Sequence, residues 1–179
     1  MKKAASILLA MLLLFSVTAC GTDNTSANAV AEVEVKQNEK VILSLYFPNR
    51  ETSQLTLEKR FVDKALMEKK EDQVNTVLEE LKKGPLTDTL VNPIPQQGTM
   101  QIASVKNKTV TVDFDKAFVD AHGGGSSGEY ATIYAIVNSL TALEGIEKVE
   151  FTVDGKKTDQ FKGHLDIASV FKPTDDVDE

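Results

Sequence analysis

Asp72-Gln73-Val74-Asn75-Thr76-Val77-Leu78-Glu79-Glu80-Leu81-Lys82-Lys83-Gly84-Pro85 sets Val74, Val77, Leu78 and Leu81 at i, i+3, i+4 and i+7. That spacing draws one apolar stripe along a helix with a single buried face. Asp72 stands where a cap would open the helix. Lys82 to Pro85 closes it, because glycine tolerates a left-handed cap and proline cannot continue the helix. Such a stripe needs a second layer to cover it, and the flanking sequence offers strands. Upstream, Val41-Ile42-Leu43-Ser44-Leu45-Tyr46-Phe47 alternates and is rich in β-branched and aromatic residues, with Pro48 ending it. Arg60 to Leu66 reads as a second strand, although helix and strand periods compete there. Downstream, Gln101–Val105 and Val110–Phe114 flank Asn107-Lys108, the pattern of a hairpin.

A second helix is predicted after a glycine-rich stretch. Ser126 and Glu129 have the spacing of a capping box, and Ile133, Ile136, Val137 and Leu140 form the buried stripe. Glu147 to Val153 reads as a last strand, turned by Asp154-Gly155. The order is strand, strand, helix, hairpin, helix, strand, with no internal repeat. Helices and strands do not alternate one for one, which argues against a doubly wound parallel sheet. The expected class is α+β: a mixed or antiparallel sheet of about four to five strands with two helices packed on one face.

The ends of the chain carry different information. Lys2 and Lys3, an apolar run from Ala4 to Val17 and the small residues before Cys20 are the parts of a secretory signal. The run is short for a permanent span. Val17-Thr18-Ala19-Cys20 resembles the bacterial lipoprotein box, in which cleavage precedes a cysteine that carries diacylglycerol. Cys20 is the single cysteine of the chain. The expected organisation is a signal over 1–19, a flexible tether over 20–37, a folded domain over 38–172 and an acidic disordered tail over 173–179. The partner implied for Cys20 is the outer face of a membrane, reached through acyl chains, each buried methylene contributing about 0.8 kcal/mol.

Composition narrows the function. Twenty basic against 27 acidic residues give a net charge of −7. Loss of Lys2 and Lys3 makes it more negative. Nucleic acid is a poor partner for such a chain, and no motif asks for a cofactor.

Several constellations imitate catalysis. His122-Gly123-Gly124-Gly125 spells an esterase oxyanion loop, and Gly124-Gly125-Ser126-Ser127-Gly128 matches G-x-S-x-G. Asp154 and His164 follow in the order of a hydrolase triad. The context disagrees, because a nucleophile elbow needs a strand running directly into the serine. The predicted strand ends about ten residues earlier. A mobile loop with Ser126 as helix cap and Glu129 completing the box explains the same letters. Anion binding at this loop is disfavoured by the lack of Lys and Arg and by Glu129. The two histidines, His122 and His164, lack metal-like spacing. Glu58, Glu79, Glu80, Asp113, Asp115 and Asp120 could supply a carboxylate pair, but most read as solvent-facing. The loop His122, Gly123, Gly124, Gly125 and Ser126 is retained as a candidate interaction loop, with no catalytic residue and no metal ligand assigned. The alternatives are an envelope hydrolase using Ser126, or a small-ligand carrier with a pocket under this loop.

Taken in order, several segments resemble the GerMN domain. They are Leu45-Tyr46-Phe47-Pro48, Glu58-Lys59-Arg60-Phe61-Val62, Val77 to Pro85, Ile94-Pro95-Gln96-Gln97-Gly98-Thr99, Val110 to Phe114, Gly128-Glu129, Ile136 to Thr141 and Val149 to Gly155. The resemblance spans nearly all of 41–155. It implies a fold similar to the ring-building motifs of secretion systems. It also implies a non-catalytic binding or assembly module found in sporulation, germination and other envelope lipoproteins. The chain holds one copy, where the sporulation protein that names the family carries two. The implied partner is another envelope protein or a second copy of the chain.

Overall fold

A computed structural model describes residues 39–178. The expected signal, Cys20 and the tether lie outside the described residues. The architecture is α+β, with two mixed three-stranded sheets and three α-helices. The strands thus divide between two sheets instead of joining one of four or five.

β1 (Lys40–Pro48) and β2 (Leu55–Asp63) form an antiparallel hairpin in which Ile42 faces Phe61 and Leu45 faces Glu58. β2 begins five residues before the expected Arg60 and ends at Asp63, where a single 3-10 turn over Lys64–Met67 follows. The reason is an inverted pattern. Glu58 and Arg60 occupy buried inward positions, while Leu57 and Phe61 point outward. Leu43, Leu45 and Phe47 supply the conventional inward face.

α1 (Lys70–Lys83) buries Val74, Val77, Leu78 and Leu81 as its spacing predicts. It starts earlier than expected. Lys69 is the N-cap residue, and Asp72 lies within the first turn, favourable to the helix dipole without capping it. β3 (Met100–Lys106) and β4 (Thr109–Phe114) pair antiparallel. Asn107 and Lys108 between them both have positive φ, 50° and 63°, as a type I′ turn demands. A short helix, α2 (Lys116–Ala121), follows, and Asp115 caps it by accepting from the Phe118 N–H at 2.7 Å. α3 (Ser126–Thr141) then leads to β5 (Lys148–Val153), which runs parallel to β4.

α3 packs on β1 and β5, and α1 packs on β3 and α3. The core around β4 is aromatic. The Phe114 ring stacks 4.6 Å from Phe118 and 5.4 Å from Phe151, with Phe161 at 5.3 Å. Gly98 lets the 91–99 segment lie directly on α2. Its φ is +73°, and a β-carbon there would sit 2.1 Å from the Phe118 nitrogen.

Residues 173–178 have defined positions, where a disordered acidic tail is expected over 173–179. β6 (Val177–Asp178) pairs parallel with Leu55 and Thr56 of β2. Thr174 and Asn138 exchange two hydrogen bonds of 3.0 and 3.1 Å, and Gln54 donates to Asp176 at 2.8 Å. Specific polar partners, Gln54 and Thr52, hold the carboxylates of Asp176 and Asp178 where composition alone predicts repulsion and solvation.

Candidate functional site

His122 ends α2 and is buried against the edge of Phe161, ring centres 4.9 Å apart. The Gly124 N–H donates to His122 Nδ1 at 2.9 Å. That assigns the ring proton to Nε2, which donates to Thr132 Oγ1 at 2.8 Å. Thr132 in turn donates to the Pro93 carbonyl at 2.8 Å. One side chain thereby fastens the glycine loop, α3 and the 91–95 segment together. Burial pulls the His122 imidazole below its ordinary value; Glu129 opposes this and Lys162 reinforces it.

The loop reaches α3 through Gly125, the N-cap residue, at φ +81°. Ser126 is already helical and exposed, and no side chain caps the helix. The expected capping box is therefore absent. Glu129 is instead turned inward, 0% exposed. Its carboxylate accepts from the N–H groups of Leu165 (2.9 Å), His164 (3.1 Å) and Lys162 (3.4 Å). His164 Nδ1 lies 2.8 Å from its other oxygen. Burial pushes the Glu129 carboxyl up, but the His164 and backbone hydrogen bonds outweigh it and leave the group below the usual carboxylate range. Helix placement alone could not distinguish this clamp from a box, because the partners lie over thirty residues away.

Ser126, Asp154 and His164 do not form a triad. His164 is engaged with Glu129, and Asp154 accepts from the Lys116 N–H at 3.2 Å. Both His122 nitrogens are occupied. Of the carboxylates considered as a pair, Glu79 is exposed on α1, and the others have structural partners. Asp113 accepts from Thr152 Oγ1 and the Gly155 N–H, and Asp115 from Thr99 and Phe118. Asp120 pairs with Lys116. Asp115 lies just past the end of β4 and serves as the cap of α2.

Glu58 and Glu80 meet on Arg60, a buried network that the sequence reading missed. Arg60 Nη2 lies 2.6 Å from Glu58, and Nη1 lies 3.0 Å from Glu80 and 2.9 Å from the Glu80 carbonyl. Nη2 also donates to the Gly84 carbonyl. Glu58 further accepts from the N–H groups of Leu86 and Thr87. The Glu58-x-Arg60 spacing, two residues apart on one strand face, was the available signal.

A cleft of about 780 Å³ opens beside the glycine loop. One side is the end of β1 and its turn, with Pro48, Asn49 and Arg50. The extended segment Val91 to Pro95 forms the second side, and the start of α3, with Ser126, Ser127 and Tyr130, the third. His122, Gly123, Gly124 and Ser126 from the candidate loop all line it.

Residues 44–159 match the family profile described as Germane: Sporulation and spore germination. No curated protein sequence matches the chain significantly. Among solved structures, the first GerMN domain of the sporulation protein GerM from Bacillus subtilis is 19% identical. That match covers 76% of this chain and 96% of that one, at a TM-score of 0.57. The tandem GerMN domains of the same protein match at 19% identity and TM-score 0.57, over 77% of this chain and 45% of the tandem. A candidate lipoprotein from Clostridium perfringens is 21% identical over 74% of this chain and 87% of its own, at a TM-score of 0.52. These likenesses establish a shared fold, and the profile match spans most of the chain. The chain belongs to the Germane family of sporulation and spore germination.

Proposed function

We propose that the chain is a lipid-anchored, extracytoplasmic binding and scaffold module of the bacterial envelope, serving sporulation or germination through protein contacts without catalysis. The observation that carries this reading is the outer face of the β1–β2 hairpin. Ile42 and Phe61 sit opposite each other there, 57% and 74% exposed, with Leu57 on the same face. A folded domain that inverts its pattern, burying Glu58 and Arg60 while leaving Phe61 in solvent, keeps an apolar surface for a partner. That partner is another envelope protein or a second copy.

Crosslinking and pull-down from membranes test the reading. Wild type recovers a defined partner or oligomer, and Ile42→Ser with Phe61→Ser loses it. Recovery of neither partner nor oligomer from wild type overturns the proposal. Anchoring is tested by Cys20→Ser, which releases a folded domain from the membrane; a variant that stays membrane-bound refutes the acyl anchor. A serine-reactive fluorophosphonate probe leaves the wild type unlabelled. Labelling that disappears in Ser126→Ala makes the chain a hydrolase instead.

A further inference from the structure

We propose that the cleft beside the glycine loop binds a small apolar molecule bearing one anionic group, of the size of an aryl carboxylate, with Arg50 as its counter-charge. This site uses different residues from Ile42 and Phe61 and stands independently of the protein-contact reading. The cleft volume, about 780 Å³, falls within the range that encloses a small ligand. Its walls are mainly apolar, with Pro48, Leu55, Val91, Pro93, Ile94 and Tyr130 contributing.

Among the described residues, Arg50 is the only charged residue on those walls, in a chain whose acidic residues outnumber its basic ones. No carboxylate pairs with it among the described residues. Its one side-chain hydrogen bond among the described residues runs from Nε to the Asp88 carbonyl at 3.4 Å. Nη1 and Nη2 are left for a planar anion, which a guanidinium holds in a bidentate fork. Glu129, which would repel an anion at the start of α3, is turned into the 162–165 segment and takes no part in the lining. The facing rim is the first turn of α3, whose leading amides have no partner within their helix and carry its positive end. A neutral or cationic ligand would leave Arg50 unmatched. A purely polar one would forgo the apolar walls.

Two matched probes test this, 1-naphthylacetate and its neutral analogue 2-(1-naphthyl)ethanol. Each is titrated calorimetrically into the full chain in lipid nanodiscs, with empty discs as the blank. The carboxylate binds at least fivefold more tightly than the alcohol. Arg50→Gln removes that preference and leaves the alcohol affinity unchanged. Ser127→Trp, which places an indole at the cleft rim, weakens both probes at least tenfold with an unchanged far-ultraviolet spectrum. Phe61→Ser affects neither. The proposal is overturned if neither probe binds, if the two bind equally to wild type, or if the preference survives Arg50→Gln. It is equally overturned if Phe61→Ser abolishes binding, which moves the probe to the hairpin face.

Discussion

Glu58 and Glu129 are both buried carboxylates that tie a distant loop to the core, yet they are neutralised in opposite ways. Glu58, 8% exposed, lies against Arg60, a permanent cation that is itself 5% exposed, and both hold the chain just after α1. Glu129, wholly buried, relies on the backbone N–H groups of Lys162, His164 and Leu165, with the half-exposed His164 ring 2.8 Å from its other oxygen. A guanidinium surrounded by Glu58, Glu80 and the Gly84 carbonyl cannot be removed without orphaning several groups at once. No single substitution removes all three backbone amides that hold Glu129. The first device is a structural rivet that one substitution breaks; the second is spread over a loop and fails gradually.

Arg60→Met should therefore produce the largest effect. It strips the charge from beside two carboxylates and leaves a buried anion unpaired, a loss of about 3–5 kcal/mol. Chemical denaturation of wild type and variant measures it. The carboxyls should respond as well. Burial pushes Glu58 up, but Arg60 and the Leu86 and Thr87 amides hold it below the usual range, a hold that the variant weakens. Glu129→Gln is the milder counterpart. The amide keeps a carbonyl acceptor for the 164 and 165 N–H groups but brings a donor into an acceptor's place, at about 1–3 kcal/mol. If Glu129→Gln proves as damaging as Arg60→Met, the contrast between rivet and distributed clamp fails.

The same contrast explains what could be read from sequence. α1, β1, the 107–108 hairpin and β5 were legible because their apolar residues keep one period and bury it locally. β2 was misplaced because its inward positions are Glu58 and Arg60, so polarity there reports a long-range partner, not solvent. Ser126 and Glu129 imitated a capping box for the same reason: the residues that claim Glu129 lie at 162–165. The ordered 173–178 segment depends on Asn138 and Gln54, far away in the chain. The candidate loop was visible as glycines, but its fastening to Pro93 through His122 and Thr132 was not.

Acidification sharpens the comparison further. The unfolded chain protonates His122 near the ordinary histidine value of about 6.5, whereas burial makes the folded chain resist until lower pH. Between those points the unfolded state binds more protons, so stability is complete above about 6.5 and declines as pH falls. Glu129 favours the proton and Lys162 opposes it, and both face the ring unchanged in His122→Gln. That variant should flatten the decline in melting temperature as pH falls below about 6.5. Glu58 and Glu129 act at lower pH, because their carboxyls take up protons in the unfolded chain only near the ordinary value of about 4.5.

His164→Ala should have the smallest effect, and it addresses the clamp most directly. The His164 side chain is 53% exposed, and ion pairs open to solvent contribute about 0–1 kcal/mol. The substitution removes the ring but keeps the His164 and Leu165 N–H groups that hold the Glu129 carboxylate. Denaturation should register a loss below about 1 kcal/mol, and the double mutant with Glu129→Gln should show coupling no larger than that. A coupling of several kcal/mol would mean that the imidazole, not the amides, neutralises Glu129. The clamp would then rest on one side chain, as the Arg60 rivet does, and the contrast between the two devices would disappear.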